Sequence, residues 1–353
     1  MNKEENLRTL LQNLVEFEKD VEIAFLYSNQ GLLMAKYAKS DLEEEENKRT
    51  EIIHGALMAK VEELLDKISF EYKIGDYGSG SFETSEHRII YLEASSEAIL
   101  LLVCSYKTNL NLLFPIAYLV VEKIVQILEE SFDFKYNTLS IPNLWMDENY
   151  SLGLSQYSVN NPKPVLKGVY PLHQIKKENN VKKLFKLIVL GSAAVGKTTL
   201  INQFLKKDQI SDYRPTLGIS ISTQQYHVQG NKDEVIDFLI YDLAGQKFFK
   251  RVRHQYYKGA NCAFIVYDVT RKNTLDEAIE VWLRDARKTL GDIPFVLIGN
   301  KIDLDSKREI SQKEGIQKAK DLKCTFTETS ALRNLNVQDT FKLIGIGLFF
   351  QSK

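Results

Sequence analysis

From residue 184 onward, short apolar runs without polar alternation are each followed by an amphipathic stretch, and this beat leaves few folds open. The runs are 184–190, 235–241, 262–269, 295–299 and 324–327; helical periodicity starts at 197, covers 275–290 and 311–322, and resumes from 337. Strands apolar on both faces must be covered on both faces, as parallel strands joined by crossover helices are. One hairpin breaks the beat: 219–228 turns at Gly230-Asn231 into 235–241, adding an antiparallel strand at an edge. Residues 183–353 are therefore expected to form an α/β domain, a mostly parallel six-stranded sheet with helices on both faces.

The first half reads differently. An amphipathic helix over 5–18 precedes strands at 21–27 and 32–37, and a second helix carries Ile52, Ile53, Ala56, Leu57, Val61, Leu64 and Leu65 on one stripe. Strands at 81–85, 88–93 and 98–106 follow, then a closing helix over 109–129. That order predicts a smaller α+β domain over residues 1–130 with an antiparallel sheet. Four of the seven prolines fall in 131–182, a linker rich in Asn and Ser; its Leu144-Trp145-Met146 is too apolar to be left in water, so part of it is expected to pack on a domain.

Composition removes several classes. Three cysteines among 353 residues, without CxxC spacing, exclude a disulfide framework and a thiolate zinc site and point to a reducing compartment. No apolar stretch is long enough to cross a bilayer, and neither a signal peptide nor a lipidation motif is read, so a cytoplasmic protein that visits membranes only through partners is expected. Residues 1–150 carry 14 basic and 27 acidic side chains, net −13; the remainder carry 32 and 20, net +12. Opposite fields favour an encounter of the halves, although Glu43-Glu44-Glu45-Glu46 also reads as one solvated turn. The basic half lacks an Arg-rich run with interleaved aromatics, which argues against nucleic acid.

Chemistry concentrates at strand ends. After the run 184–190 comes Gly191-Ser192-Ala193-Ala194-Val195-Gly196-Lys197-Thr198, the GxxxxGK[ST] pattern between strand and helix. Glycines let backbone amides close around phosphate oxygens, the helix presents its positive end, Lys197 adds a point charge and the Thr198 hydroxyl can take magnesium, with Thr199 beside it. Asp242-Leu243-Ala244-Gly245-Gln246, Asn300-Lys301-Ile302-Asp303 and Glu328-Thr329-Ser330-Ala331 each follow a further strand, where open α/β sheets bind ligands. A carboxylate such as Asp303 can accept from both N1–H and the 2-amino group of guanine, whereas adenine would leave it unpaired.

With these motifs in order, residues 184–350 resemble a small GTPase of the Ras superfamily. Lys197 to Thr216 spans 19 residues and Asn300 to Ser330 spans 30, both in keeping. Arg214-Pro215-Thr216-Leu217-Gly218, Gln255-Tyr256-Tyr257-Lys258-Gly259-Ala260 and Val266-Tyr267-Asp268-Val269-Thr270 resemble Rab-like members most. The resemblance implies GTP and GDP as ligands and Mg2+ held with Thr198, Thr216 and Asp242. It also implies the Gly245 amide on the γ-phosphate, Gln246 orienting the attacking water with Lys197 and Thr216 as catalytic partners, Asn300 and Asp303 reading guanine, Lys301 along the base plane, and Ser330-Ala331 at the guanine oxygen. Four positions depart from the pattern. Ala193 stands where Ras has glycine, Gln209 where an aromatic ring flanks the base, Leu332 where Lys is common and Lys247 where Glu is usual.

Arg214 could swing in as a built-in arginine finger, but an exposed switch charge is the reading taken. Arg251 and His254 read as partner contacts and Trp282 as packing. The element order of residues 3–130 resembles a Roadblock domain, with a longin or profilin-like domain the near alternative. Roadblock modules pair into dimers and accompany GTPases, which implies a homodimer or Roadblock-type partner beside effector proteins. Three roles stay open at this point: a GTP-hydrolysing switch dimerised by its first half, a switch regulated by that half, and a GTP-binding scaffold with negligible turnover.

Overall fold

The computed structural model describes residues 2–39, 79–83, 87–95, 98–135, 137–142, 170–171, 181–206, 219–228, 234–245, 250–291 and 293–351. The expected helix at 52–65, Leu144-Trp145-Met146, Gln209, Arg214, Thr216 and the segment Gln246-Lys247 lie outside them.

Helix α1 (Lys3–Phe17) starts on Asn2, whose side chain accepts from the Glu4 amide at 2.8 Å. Its Leu7, Leu10, Leu11, Leu14 and Val15 recur at helical spacing and are buried. Strands β1 (Val21–Ser28), β2 (Leu33–Ala38), β3 (Ser79–Glu83), β4 (His87–Ser95) and β5 (Ala98–Ser105) follow, then α2 (Leu110–Leu128) and the two-residue strand β6 (Tyr170–Pro171). They form a sheet ordered β2-β1-β5-β4-β3-β6, antiparallel throughout. Its helix-bearing face is Ala24, Leu26, Ile90, Leu92, Leu100 and Leu102; Phe25, Tyr27, Tyr91, Ile99 and Leu101 form a second buried cluster on the other. The predicted linker is not wholly free of the sheet, because β6 pairs with β3 and Ile141 joins the core.

The second sheet takes β7 (Val181–Leu190), β8 (Ile219–His227), β9 (Glu234–Leu243), β10 (Cys262–Asp268), β11 (Phe295–Asn300) and β12 (Thr325–Thr329) in the order β12-β11-β10-β7-β9-β8. All pairings are parallel except β8 with β9, the hairpin read from the sequence. Every residue of β10, β11 and β12 is buried, which is what unalternating apolar runs require. Helices α3 (Lys197–Phe204), α4 (Lys250–Tyr257), α5 (Lys272–Glu277), α6 (Arg284–Leu290), α7 (Gln312–Asp321) and α8 (Val337–Gln351) cover it. A π-helical turn over Ala278–Leu283 joins α5 to α6.

The two sheets share one apolar core, because α2 packs on α8. On α3 and α8, Phe204 and Phe341 stack at 4.1 Å between centroids. Charge is buried at the seam. Lys123 Nζ lies 2.6 Å from Asp339 and donates to the Thr138 and Ser140 carbonyls at 2.7 and 2.9 Å, with the pair's side chains 2% and 3% exposed. Glu122 accepts from Lys342 Nζ at 2.5 Å and from the Tyr226 hydroxyl at 2.7 Å. The sequence expectation of opposite fields does not describe this seam, since one pair runs acid to base and the other base to acid. The three cysteines are free and buried, their thiols pushed up by burial, to about 12 for Cys104 and about 11 for Cys324. Among the described residues, no helix is long and apolar enough to cross a membrane.

Candidate functional site

Strands β7, β9, β10, β11 and β12 run the same way, so their C-terminal ends share one edge of the second sheet. There the loop from Gly191 to Gly196 joins β7 to α3. Gly191 and Gly196 have φ of +144° and +97°, and a Cβ on either would lie 2.2 Å from the Val266 carbonyl or 2.3 Å from Asn300 Nδ2. Ala194 adopts φ +62° between them. Left-handed residues in such a loop let successive backbone amides line an anion-holding concavity at a helix start. Lys197 is buried and donates from Nζ to the Gly191 and Ser192 carbonyls, both at 2.9 Å, so the loop closes around its own lysine.

Asp242, the penultimate residue of β9, accepts from the Thr198 hydroxyl. Two hard oxygen donors at the mouth of α3 suit a magnesium ion. Gly245 abuts the loop so closely that a Cβ there would lie 2.6 Å from Ala193 N, which requires glycine at that point.

Asn300, 1% exposed, brackets three motifs: its Nδ2 donates to the Val195 carbonyl at 2.9 Å, while its Oδ1 accepts from the Thr329 hydroxyl and the Ala331 amide, each at 3.1 Å. The Ser330 hydroxyl donates to Asp303 at 2.5 Å and accepts from the Arg333 amide at 3.0 Å. Arg308 grips Glu328 with two nitrogens, at 2.7 and 3.2 Å, bracing the strand before Ser330. Gly191, Ser192, Ala193, Ala194, Val195, Gly196, Lys197, Thr198, Thr199, Asp242, Gly245, Asn300, Lys301, Asp303, Ser330 and Ala331 thus share one edge; Thr216 and Gln246 lie outside the described residues.

Several neighbours escaped the sequence reading. Trp282 packs, as expected, but its Nε1 also donates to Ser192 Oγ at 3.3 Å, and that hydroxyl donates to Glu277. The π-helical turn carries this ring to the phosphate loop, and no sequence periodicity announces such a turn. His254, read as a partner contact, lies 2.9 Å from Asp285 and stacks on Tyr257. Lys301 has φ +72° and reaches Asp268 at 2.7 Å. The signal for Asp268 was legible: it is the one acid in a strand otherwise apolar and buried.

The Ras family profile matches residues 186–346. Ras-related protein Rab-2B of Dictyostelium discoideum is 38% identical over 176 residues, covering 50% of this chain and 85% of that protein. Ras-related protein RABA6a of Arabidopsis thaliana is 39% identical over 165 residues, 46% of this chain and 69% of its own length. RABC2a of the same plant is 35% identical over 164 residues, 46% and 76% respectively.

Proposed function

Since the chain belongs to the Ras family and is a small GTPase, we propose that residues 183–353 form a magnesium-dependent switch whose GTP-bound and GDP-bound states are read by effector proteins. The observation carrying this reading is the Asn300 bracket, which ties the phosphate loop, the base-reading loop and the Ser330-Ala331 loop to one buried side chain. Asp303 reads guanine, its carboxylate oriented by the Ser330 hydroxyl. Lys197 and the loop amides hold the β- and γ-phosphates. Thr198, Asp242 and Thr216 hold Mg2+, which neutralises phosphate charge when bound. Gln246 orients the attacking water, a positioning task suited to phosphoryl transfer, which asks more for charge neutralisation than for a strong base.

Residues 1–130 are proposed to be a Roadblock-like module serving dimerisation, partner docking or control of the switch, followed by a linker over 131–182. Element order supports this, and so does β2, which among the described residues stands at one edge of the first sheet and is flanked by the exposed Leu32. The protein works in the cytoplasm and meets membranes through partners.

Single-turnover hydrolysis by the full chain, with and without magnesium, tests the reading. Gln246→Leu is expected to retain GTP and lose at least tenfold in hydrolysis; undiminished turnover removes Gln246 from the mechanism. Asp303→Asn is expected to weaken GDP binding by about a hundredfold, the scale of losing a charged hydrogen-bond partner. Light scattering of the full chain reads the dimer.

A further inference from the structure

The end of β10 and the loop from it to α5 carry two charged groups, Asp268 and Arg271, that nucleotide chemistry as described leaves unused. Asp268, 1% exposed, is engaged on both oxygens: Oδ2 takes Lys301 Nζ at 2.7 Å and Arg271 Nε at 3.0 Å, while Oδ1 accepts from the Thr270 amide and hydroxyl at 3.0 and 2.7 Å. Burial pushes the pKa of this carboxyl up, but the bonds from Lys301 and Thr270 outweigh it and leave it below the ordinary value, so it stays charged. Arg271, fixed at Nε, extends Nη2 to 3.3 Å from the carbonyl of Ala193 in the phosphate loop.

We propose that Arg271 is a positioning residue of the phosphate loop, anchored by Asp268 and holding the peptide between Ala193 and Ala194 in the orientation that presents the Ala194 amide to phosphate oxygens.

A trans peptide is planar, with its C=O and N–H pointing in opposite directions. Tying the Ala193 carbonyl to a cation outside the loop turns the Ala194 N–H away from Arg271, toward the enclosed side. The conformation needs support, because Ala194 sits at φ +62°, where a side chain crowds its own backbone. A flip of that peptide would relieve the crowding and withdraw one amide from the anion site. Arginine suits the task, since its planar fork can bond a carboxylate and a carbonyl in two fixed directions at once, which a single ammonium does less well. The group is 39% exposed at its side chain and close to the Ala193 position, so it acts through the loop backbone and not through the core. The inference rests on the guanine-nucleotide reading above.

The full chain, loaded with a fluorescent GDP analogue in magnesium buffer, is diluted into excess unlabelled GDP and release is followed. Arg271→Ala is expected to release the analogue about fivefold faster, the scale of one partly exposed charged hydrogen bond. Arg271→Lys is expected to fall between that variant and the wild type. Ala194→Gly removes the crowding, and in that background Arg271→Ala is expected to change release less than twofold. Unchanged release in the single variant overturns the proposal, and so does an undiminished fivefold effect beside Gly at 194, because Arg271 would then act elsewhere than on this peptide. A wild-type chain that retained no analogue would overturn the nucleotide-site reading and the proposal together. Circular dichroism of each variant reads folding, which a change at this half-exposed arginine is expected to leave intact.

Discussion

Among the described residues, the two sheets of this molecule have six strands each and use their strand ends in opposite ways. In the second, the parallel strands β9, β10 and β11 end at Leu243, Asp268 and Asn300, and Asp242, Asp268 and Asn300 are buried polar groups on one common edge. In the first, antiparallel neighbours send consecutive ends to opposite edges, and β1, β4 and β5 end in Ser28, Ser95 and Ser105. Direction is what differs. Parallel strands gather polar termini into a site, whereas antiparallel ones disperse them and leave a surface suited to packing.

The comparison breaks most sharply at the seam between the sheets. Lys123→Ala would leave Asp339 charged without its cation in a buried setting, with an expected loss of about 3–5 kcal/mol of stability by chemical denaturation. If the sheets form one cooperative unit, a single transition moves; two transitions, with the GTPase half unmoved, would show that the first sheet only docks. A smaller effect sharpens the same point. Tyr226→Phe removes the hydroxyl donor to Glu122 from β8 while leaving Lys342 and Gln126 on that carboxylate, with an expected cost of about 1–2 kcal/mol. The least effect separates the sheets by pH. Burial first, and Asp20 second, push the pKa of Glu18 up to about 7. Its folded value is raised, so ionisation costs stability: the penalty is absent below the ordinary value of 4.5 and complete above 7. Glu18→Gln is therefore expected to stabilise the protein by about 1 kcal/mol at pH 8, discounted for partial exposure, and to do nothing at pH 4. Equal effects at both pH values would remove the titration from the account.

The parallel strands were legible because burial on both faces leaves an unbroken apolar run, and β10 and β11 read within a residue or two. The phosphate-loop residues were legible because backbone geometry there demands Gly191, Gly196 and Gly245 at fixed places. What escaped depends on side chains meeting across distance. Arg271 meets Ala193 from 78 residues away, and Glu122 meets Lys342 from 220. Local spacing carries no trace of such pairs. Helix α2, read from the sequence only as a closing helix, is buried on more than one face, and its cover by α8 lies too far along the chain for local pattern to name.

That second cover fixes the order in which the protein can mature. Lys123 waits 216 residues for Asp339, and at about 5–20 residues per second of synthesis this is about 10–40 s during which α2 has left the ribosome and α8 does not yet exist. The first sheet can pair its strands in that interval, yet the flank of α2 destined for the seam stays open to water and to whatever else is nearby. Among the described residues, α8 is the element that ends the wait.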